Sequence, residues 1–449
     1  MRRILVRTAR VALVGALALT ASALATTHSV APALASPCGN GGFGSSQLGS
    51  SGSSTGSLGS SGSAGSSGLG SSNVPNIGPQ GPLPPFISAS TRTVAWLTGP
   101  LSINRTYSRF AISGTDLGIS WDNGSGQTLM AFGDTFGNCN ATGQQWRHNV
   151  LLRTNDTRMI DGITVPNGVA GDQNSGTVIA AGQPNFAQEL IPALGVDYIE
   201  VTKIPTAAIS LPRPGGGFRQ YINYMSVRSW GSAGNWVTNF SQIAYSDNNG
   251  QTWENAGDTI RVNAPVTLDL PSPPFPDVAV NNGKFQQNAY TRGRPDNADE
   301  KDYIYQFGTP NGRFGAAFLA RFKPEDIAAL DRYQYWNGTT WIGDLNAMGE
   351  AVVIPAPVTE LSVSWSPYLK KYVMLDGDNE ITLRTADHPQ GPWSARKTLV
   401  PSGRIVLYAP MMLPQSPALK GTGPELYFNA SRWSDYNVML LRTDLSRVR

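Results

Sequence analysis

Five short segments of one kind constrain this chain more than any other feature. They are Asn149–Thr154, Ser241–Ser246, Ala316–Arg321, Glu380–Thr385 and Asn437–Arg442. Each has an apolar centre rich in strand formers, and each follows a hairpin by one loop, at intervals of about 60–90 residues. A unit of hairpin, third strand and outer strand cannot cover both of its faces alone, but units packed around an axis cover one another. Five four-stranded units read as a five-bladed β-propeller, which protects sheet edges by radial repetition. The fold class is therefore all-β. Turn signals such as Asp247–Gly250, Pro310-Asn311-Gly312 and Asp376-Gly377-Asp378 punctuate the chain. Helical periodicity is nearly absent, with Pro324–Leu330 as the best short helix candidate.

Two of the third strands run into turns with known counterparts. Ser246 to Trp253 resembles the Asp-box turn of sialidase-like propellers, with Asn248 at the Asp position. Thr385-Ala386-Asp387 with Gly391-Pro392-Trp393 resembles the outer-hairpin turn of five-bladed arabinanase and fructosidase propellers. Such turns support an architecture and carry no chemistry.

The propeller does not account for the whole of the 449 residues. Arg2, Arg3, Arg7 and Arg10 precede an apolar run from Val11 to Ala25, with small-residue cleavage signals at Ala23-Leu24-Ala25 and Ala33-Leu34-Ala35. This pattern reads as a secretory signal peptide over 1–35 and is too short for a stable membrane span. Residues 36–85 are Gly- and Ser-rich, then Pro-rich, and read as a disordered tether. The propeller occupies 86–449. Export permits a disulfide between Cys38 and Cys139, and the sequence leaves that pairing open. The expected location is outside the cytoplasm, in the cell envelope, with no transmembrane segment in the mature chain.

A net charge of +3 and only 14% charged residues leave no basic stripe, so nucleic acid is not the expected partner. Eleven Trp and 15 Tyr suit a neutral ring such as a sugar, although many of these aromatics belong to a core. No His-x-x-His, Cys-x-x-Cys or EF-hand spacing is present, so neither a metal nor a cofactor is expected.

The chemistry is read from carboxylates. Asp116 and Asp134 flank the turn Asp122-Asn123-Gly124-Ser125-Gly126-Gln127 and are equidistant from Ser125. Antiparallel pairing would bring them together at the open end of a hairpin. Blade four repeats the pattern: Glu360-Leu-Ser-Val-Ser-Trp365 parallels Asp116-Leu-Gly-Ile-Ser-Trp121, and Asp376 matches Asp134. Inner strands line a central channel, so Asp116, Asp134 and Glu360 are the candidate catalytic groups. Facing carboxylates without a metal fit glycoside hydrolysis, one as acid and the other as base or nucleophile. Trp121, Tyr290, Tyr408 and Trp433 are candidate sugar platforms, and His148, Arg294 and Arg384 candidate hydroxyl ligands. Each also has a structural reading, as does each Asp as a loop cap.

Gly-Thr-Asp116-Leu-Gly, Phe-Gly-Asp134-Thr-Phe-Gly, Thr-Glu360-Leu-Ser-Val-Ser-Trp and Tyr408-Ala-Pro-Met-Met resemble domain-of-unknown-function family 4185. That family comprises secreted five-bladed propellers and overlaps glycoside hydrolase family 183. The resemblance covers about Ser88 to Leu445. It implies endo-cleavage of D-arabinan, the furanose polymer of arabinogalactan and lipoarabinomannan, and it implies catalytic roles for Asp116 and Asp134. Glu360 rests on the repeat alone. The expected protein is thus a secreted, monomeric endo-D-arabinanase-like hydrolase with a polysaccharide substrate. The alternative is a non-catalytic propeller that binds envelope glycan or a partner. A sialidase is weaker, since its arginine triad and Tyr nucleophile find no assignment.

Overall fold

The computed structural model describes residues 37–38, 74–268 and 277–448. The signal peptide expected over 1–35 and the greater part of the tether expected over 36–85 lie outside the described residues.

The chain forms a five-bladed β-propeller. Blade 1 contains Leu117–Asp122, Thr128–Phe132 and Val150–Thr154, with a single bridge from Leu152 to Thr177 at its outer edge. Blade 2 contains Thr202–Pro212, Phe218–Trp230 and Trp236–Ser246, and two short strands, Glu254–Asn255 and Arg261–Val262, share its outer edge. Blade 3 adds a fifth strand: Gln287–Arg292, Ile304–Thr309, Phe318–Phe322, Gln334–Trp336 and Trp341–Ile342. Blade 4 has four strands, Ser362–Ser366, Lys371–Asp376, Ile381–Ala386 and Lys397–Val400. All five segments of the repeat fall on the third strands.

Blade 5 closes the ring. Its inner three strands, Leu407–Met412, Glu425–Arg432 and Asn437–Asp444, come from the end of the chain, whereas its outer strand, Thr91–Trp96, precedes blade 1. Thr91 and Thr443 share a buried hydroxyl–hydroxyl bond of 2.9 Å across this junction. The inner strands touch in cyclic order, blade 1 against 2, 2 against 3, 3 against 4, 4 against 5 and 5 against 1.

The core follows from that geometry. Alternate residues of each blade face the neighbouring blades, so burial is divided into one apolar layer per blade interface. Val373, Leu375, Phe428 and Leu441 fill the layer between blades 4 and 5, and Met130, Leu152, Val438 and Leu440 fill the one between 5 and 1. Further layers lie between blades 1 and 2, 2 and 3, and 3 and 4. A sixth cluster, including Leu117, Ile204, Trp236 and Tyr408, sits toward the axis.

The Asn248 turn locks itself as its resemblance implies. Thr252 N–H donates to Asn248 Oδ1 at 3.0 Å, and Gly250 N–H to Ser246 Oγ at 2.9 Å. The helix expected over Pro324–Leu330 shortens to a 3₁₀ turn at Pro324–Asp326. One turn cannot repay the cost of nucleating an α-helix, and Ile327 is instead pinned in the core of blade 3. Among the described residues no helix is long and apolar enough to cross a membrane.

Residues 74–85, at the end of the Gly/Ser/Pro-rich stretch, lie against the propeller. Gln80 donates to Thr98 O and accepts from Leu101 N–H, each at 2.8 Å, and Trp96 Nε1 donates to Gly81 O. Cys38 and Cys139 form a disulfide with Cα atoms 5.2 Å apart. Pro37 thereby packs against Gly114, two residues before Asp116.

Candidate active site

Each inner strand begins at the same mouth of the channel, so the residues at the five strand starts meet there. Asp116 and Leu117, Ile204 to Thr206, Gln287 and Asn288, Glu360 and Leu361, and Tyr408 all line one cleft. Asp134 enters from the second strand of blade 1. The comparison of blades 1 and 4 thus places Asp116 and Glu360 in one funnel, as expected.

The hairpin does not pair Asp116 directly with Asp134. Trp121 faces Leu129 and Ile119 faces Ala131, but Leu117 faces Phe132. A bulge at Gly118 shifts the register by one, with Leu117 and Gly118 both at positive φ (69° and 79°). Asp116 therefore lies beside Gly133, whose N–H donates to Asp116 O at 3.2 Å. A Cβ on Gly133 would lie 2.4 Å from Asp116 Oδ1, so only glycine leaves room for this carboxylate.

The two aspartates have different surroundings. Tyr408 OH donates to Asp116 Oδ2 at 3.0 Å, while Asp116 Oδ1 is buried without a partner. Burial and the nearby Asp134 charge push Asp116 up to about 8, against the opposing pull of the Tyr408 bond. Asp134 is 8% exposed, and its Oδ1 accepts from Thr202 Oγ1 at 2.6 Å and from Trp146 Nε1 at 2.8 Å. Burial pushes Asp134 up too, but the Thr202 bond, the His148 charge and the Trp146 bond hold it to about 6.

Glu360 is held differently. Arg313 grips it with two parallel bonds, Nε to Oε2 at 2.9 Å and Nη2 to Oε1 at 2.7 Å. The Arg313 guanidinium sits 4.9–5.5 Å from the ring centres of Trp433, Tyr408 and Trp236. Burial disfavours the Arg313 charge, but Glu360 and, at 3.8 Å, Asp378 together outweigh it and raise the pKa.

Of the other candidates, Tyr408 and Trp433 line the cleft, with ring centres 4.3 Å apart. His148 stands behind Asp134: its Nδ1 bonds Glu189 Oε2 at 2.6 Å, and its ring packs edge-on to Trp146. Trp121 is a core residue, 4% exposed, whose Nε1 donates to Gln220. It lies five residues along the inner strand from Asp116, about 16 Å away at a strand's rise. Tyr290 is likewise buried and accepts from Asn223. Arg294 lies against Trp365 and Glu300, and Arg384 donates to Ser394 O in the outer part of blade 4, so neither lines the cleft. Asp376 is fully buried, bonded to Thr382 and Arg396, and serves the blade.

The sequence reading missed Arg313, Trp236, Gln287, Trp230 and Tyr436, which also line the cleft. Gln287 had a signal, since it stands at the inner-strand start that Asp116 and Glu360 mark in their blades. Trp236 and Arg313 had none: Trp236 opens a third strand and Arg313 stands on the turn between the second and third strands of blade 3, so neither occupies an inner-strand start. Arg313 is the arginine of this cleft among the described residues, and a sialidase-like triad is not assembled there.

An all-β propeller with a mouth holding two aspartates and an Arg–Glu pair is the class that fold and site define. The chain belongs to the family described as a domain of unknown function, DUF4185, whose model matches residues 101–442. It is 25% identical over 351 residues to notoamide biosynthesis cluster protein J of an Aspergillus species, covering 73% of this chain and 81% of that protein. A putative hydrolase from Bacteroides ovatus is similar in structure, with 13% identity, 79% and 90% of the two chains covered and a TM-score of 0.46. So are the native arabinanase of Bacillus subtilis (9%, 74% and 96%, 0.37) and the catalytic domain of a Coprinopsis cinerea α-L-arabinofuranosidase (12%, 80% and 98%, 0.40).

Proposed function

We propose that this protein is an extracytoplasmic glycoside hydrolase that cleaves internal arabinofuranosyl links of envelope arabinan. The observation that carries the reading is the pair of aspartates in one cleft whose surroundings separate their acidities, burial and mutual repulsion on Asp116 against two hydrogen-bond donors on Asp134. That separation is how two like groups take unlike roles. Asp116 keeps its proton near neutrality and gives it to the departing glycosidic oxygen as the C–O bond breaks. Asp134, ionised, either takes a proton from the water that attacks the anomeric carbon or attacks that carbon itself. Glu360, bound to Arg313, holds the wall of the cleft. The leader-like pattern over 1–35 supports the extracytoplasmic location, and the substrate class comes from the family resemblance.

Purified protein should shorten arabinan, with oligosaccharide products seen by chromatography and the anomer formed first seen by NMR. A curated relative is named for a biosynthesis cluster and not for a polysaccharide, so short synthetic furanosides belong beside the polymer. Tight arabinan binding without any product would replace this reading with a glycan-binding propeller.

A further inference from the structure

Tyr408 stands near the start of the inner strand of blade 5 and lines the cleft, yet it is 1% exposed. Its ring offers a sugar no stacking face, so its use lies in the hydroxyl, bonded at 3.0 Å to Asp116 Oδ2. The ring is held from several sides. The Trp433 ring centre is 4.3 Å away, and the Arg313 guanidinium is 5.0 Å from the ring centre. The Tyr408 backbone bridges to Asp378 of blade 4. On either side of it the chain is left-handed at residues with side chains, Val406 (φ 45°) and Ala409 (φ 51°). A β-branched residue in that region is a genuine outlier. Such strain persists where surrounding contacts over-determine it, and it clusters at functional positions.

The two oxygens of the Asp116 carboxyl are unlike. Oδ1 is closed off from solvent beside Gly133 and has no partner. Asp116 as a whole is not fully enclosed, and it lines the cleft. A substrate therefore reaches this carboxyl at Oδ2, the oxygen that Tyr408 holds. In the proposed reaction the Oδ2–H bond breaks and the proton joins the glycosidic oxygen as that oxygen leaves the anomeric carbon. The negative charge stays on Oδ2. A hydroxyl already bonded there gains strength as the charge grows, since charge-assisted hydrogen bonds are roughly twice as strong as neutral ones. An interaction stronger in the transition state than in the ground state lowers the barrier. We infer that Tyr408 is a catalytic donor, which holds the reacting oxygen of Asp116 and stabilises the charge left on it. This rests on the glycosidase reading and adds a residue to its machinery. Burial and the Asp116 charge hold the Tyr408 phenol well above its ordinary range, so it keeps its proton to donate. Besides burial, Asp134 and Glu360 raise Asp116 and Arg313 lowers it, and Tyr436 faces it as well.

The test reads Asp116 directly, without substrate. NMR of isotope-labelled aspartate carboxyls follows its titration, with Asp116→Asn identifying the signal. Tyr408→Phe keeps the ring and removes the hydroxyl. The Asp116 midpoint should rise by about 1–2 in pH, and kcat should fall about 10- to 100-fold with KM little changed, the worth of one hydrogen bond to a charged group. The alkaline limb of kcat/KM should rise with the midpoint. On an aryl glycoside of the same sugar, whose phenolate departs without a proton, the variant and the wild type should react alike. A ring that only packs predicts none of these changes. Fluorotyrosine in place of Tyr408, a stronger donor of nearly the same shape, should lower the midpoint, and it keeps the test open if Tyr408→Phe does not fold. An unmoved midpoint in either variant overturns the proposal. So does a raised midpoint with normal kcat, or an equal loss on the aryl and the natural leaving groups. If the wild type cleaves no glycoside, the glycosidase reading falls and takes the catalytic role with it, whatever the midpoint does.

Discussion

Asp116 and Asp134 show how a few neighbours set the chemistry of a carboxyl. Asp116 is raised to about 8 by burial and by Asp134, and Asp134 to about 6 by burial against its donors. The proposed reaction needs the first protonated and the second ionised, so kcat/KM should be bell-shaped, falling below about pH 6 and above about pH 8. Asp116→Asn and Asp134→Asn should each lower arabinan cleavage by roughly 10²–10⁴-fold or more, because Asn can neither give nor take the proton. Asp122→Asn, in the hairpin turn, should cleave near normally. Near-normal rates in both aspartate variants would move the site elsewhere. Stability has its own sign. A carboxyl whose pKa is higher in the folded than in the unfolded chain stabilises the fold fully below pH 4 and loses that contribution as pH rises toward 8. The melting temperature should therefore fall between pH 5 and pH 8, and Asp116→Asn should flatten the fall. A wild-type profile flat over that range would contradict the burial of Asp116.

At the level of single elements, the bulged hairpin of blade 1 does more than carry two acids. Its one-residue slip sets Asp116 beside Gly133 and turns the facing pair into a diagonal one. Gly133→Ala should push the Asp116 carboxylate aside and lower kcat by about 10²-fold, as misplacement of about 1 Å can. Normal kcat in that variant would show that the carboxylate does not depend on this contact. The strand Thr91–Trp96 is the other telling element. It covers the outer edge of Asn437–Asp444, so deleting the chain through Trp96 exposes that edge and opens the ring. Loss of soluble protein or of cooperative melting is expected. A truncated chain that melts within a few degrees of the full one would mean that closure contributes little.

For the molecule as a whole, the propeller joins distant stretches of chain, and the disulfide adds one more join. Cys38 and Cys139 are 101 residues apart. Cys139→Ser should destabilise by about 2–4 kcal/mol, as loss of a native crosslink commonly does, while arabinan cleavage persists. Unfolding titrations with and without reductant measure this, and equal midpoints would show that the bond is not maintained in solution. The sequence by itself determined the repeat, and with it the five blades, the third strands and the meeting of Asp116 with Glu360. All of these follow from local pattern, because a strand's period and the position of its first residue are properties of a few neighbouring residues. Tertiary structure alone decided what surrounds those residues. Glu360, read as catalytic, became the partner of Arg313, which a turn in blade 3 delivers. Trp121 and Tyr290, read as sugar platforms, went into the core, while Trp236 and Gln287 came to line the cleft. Burial, ion pairing and an empty hydrogen-bond position are created by what stands opposite a side chain, and what stands opposite comes from another blade.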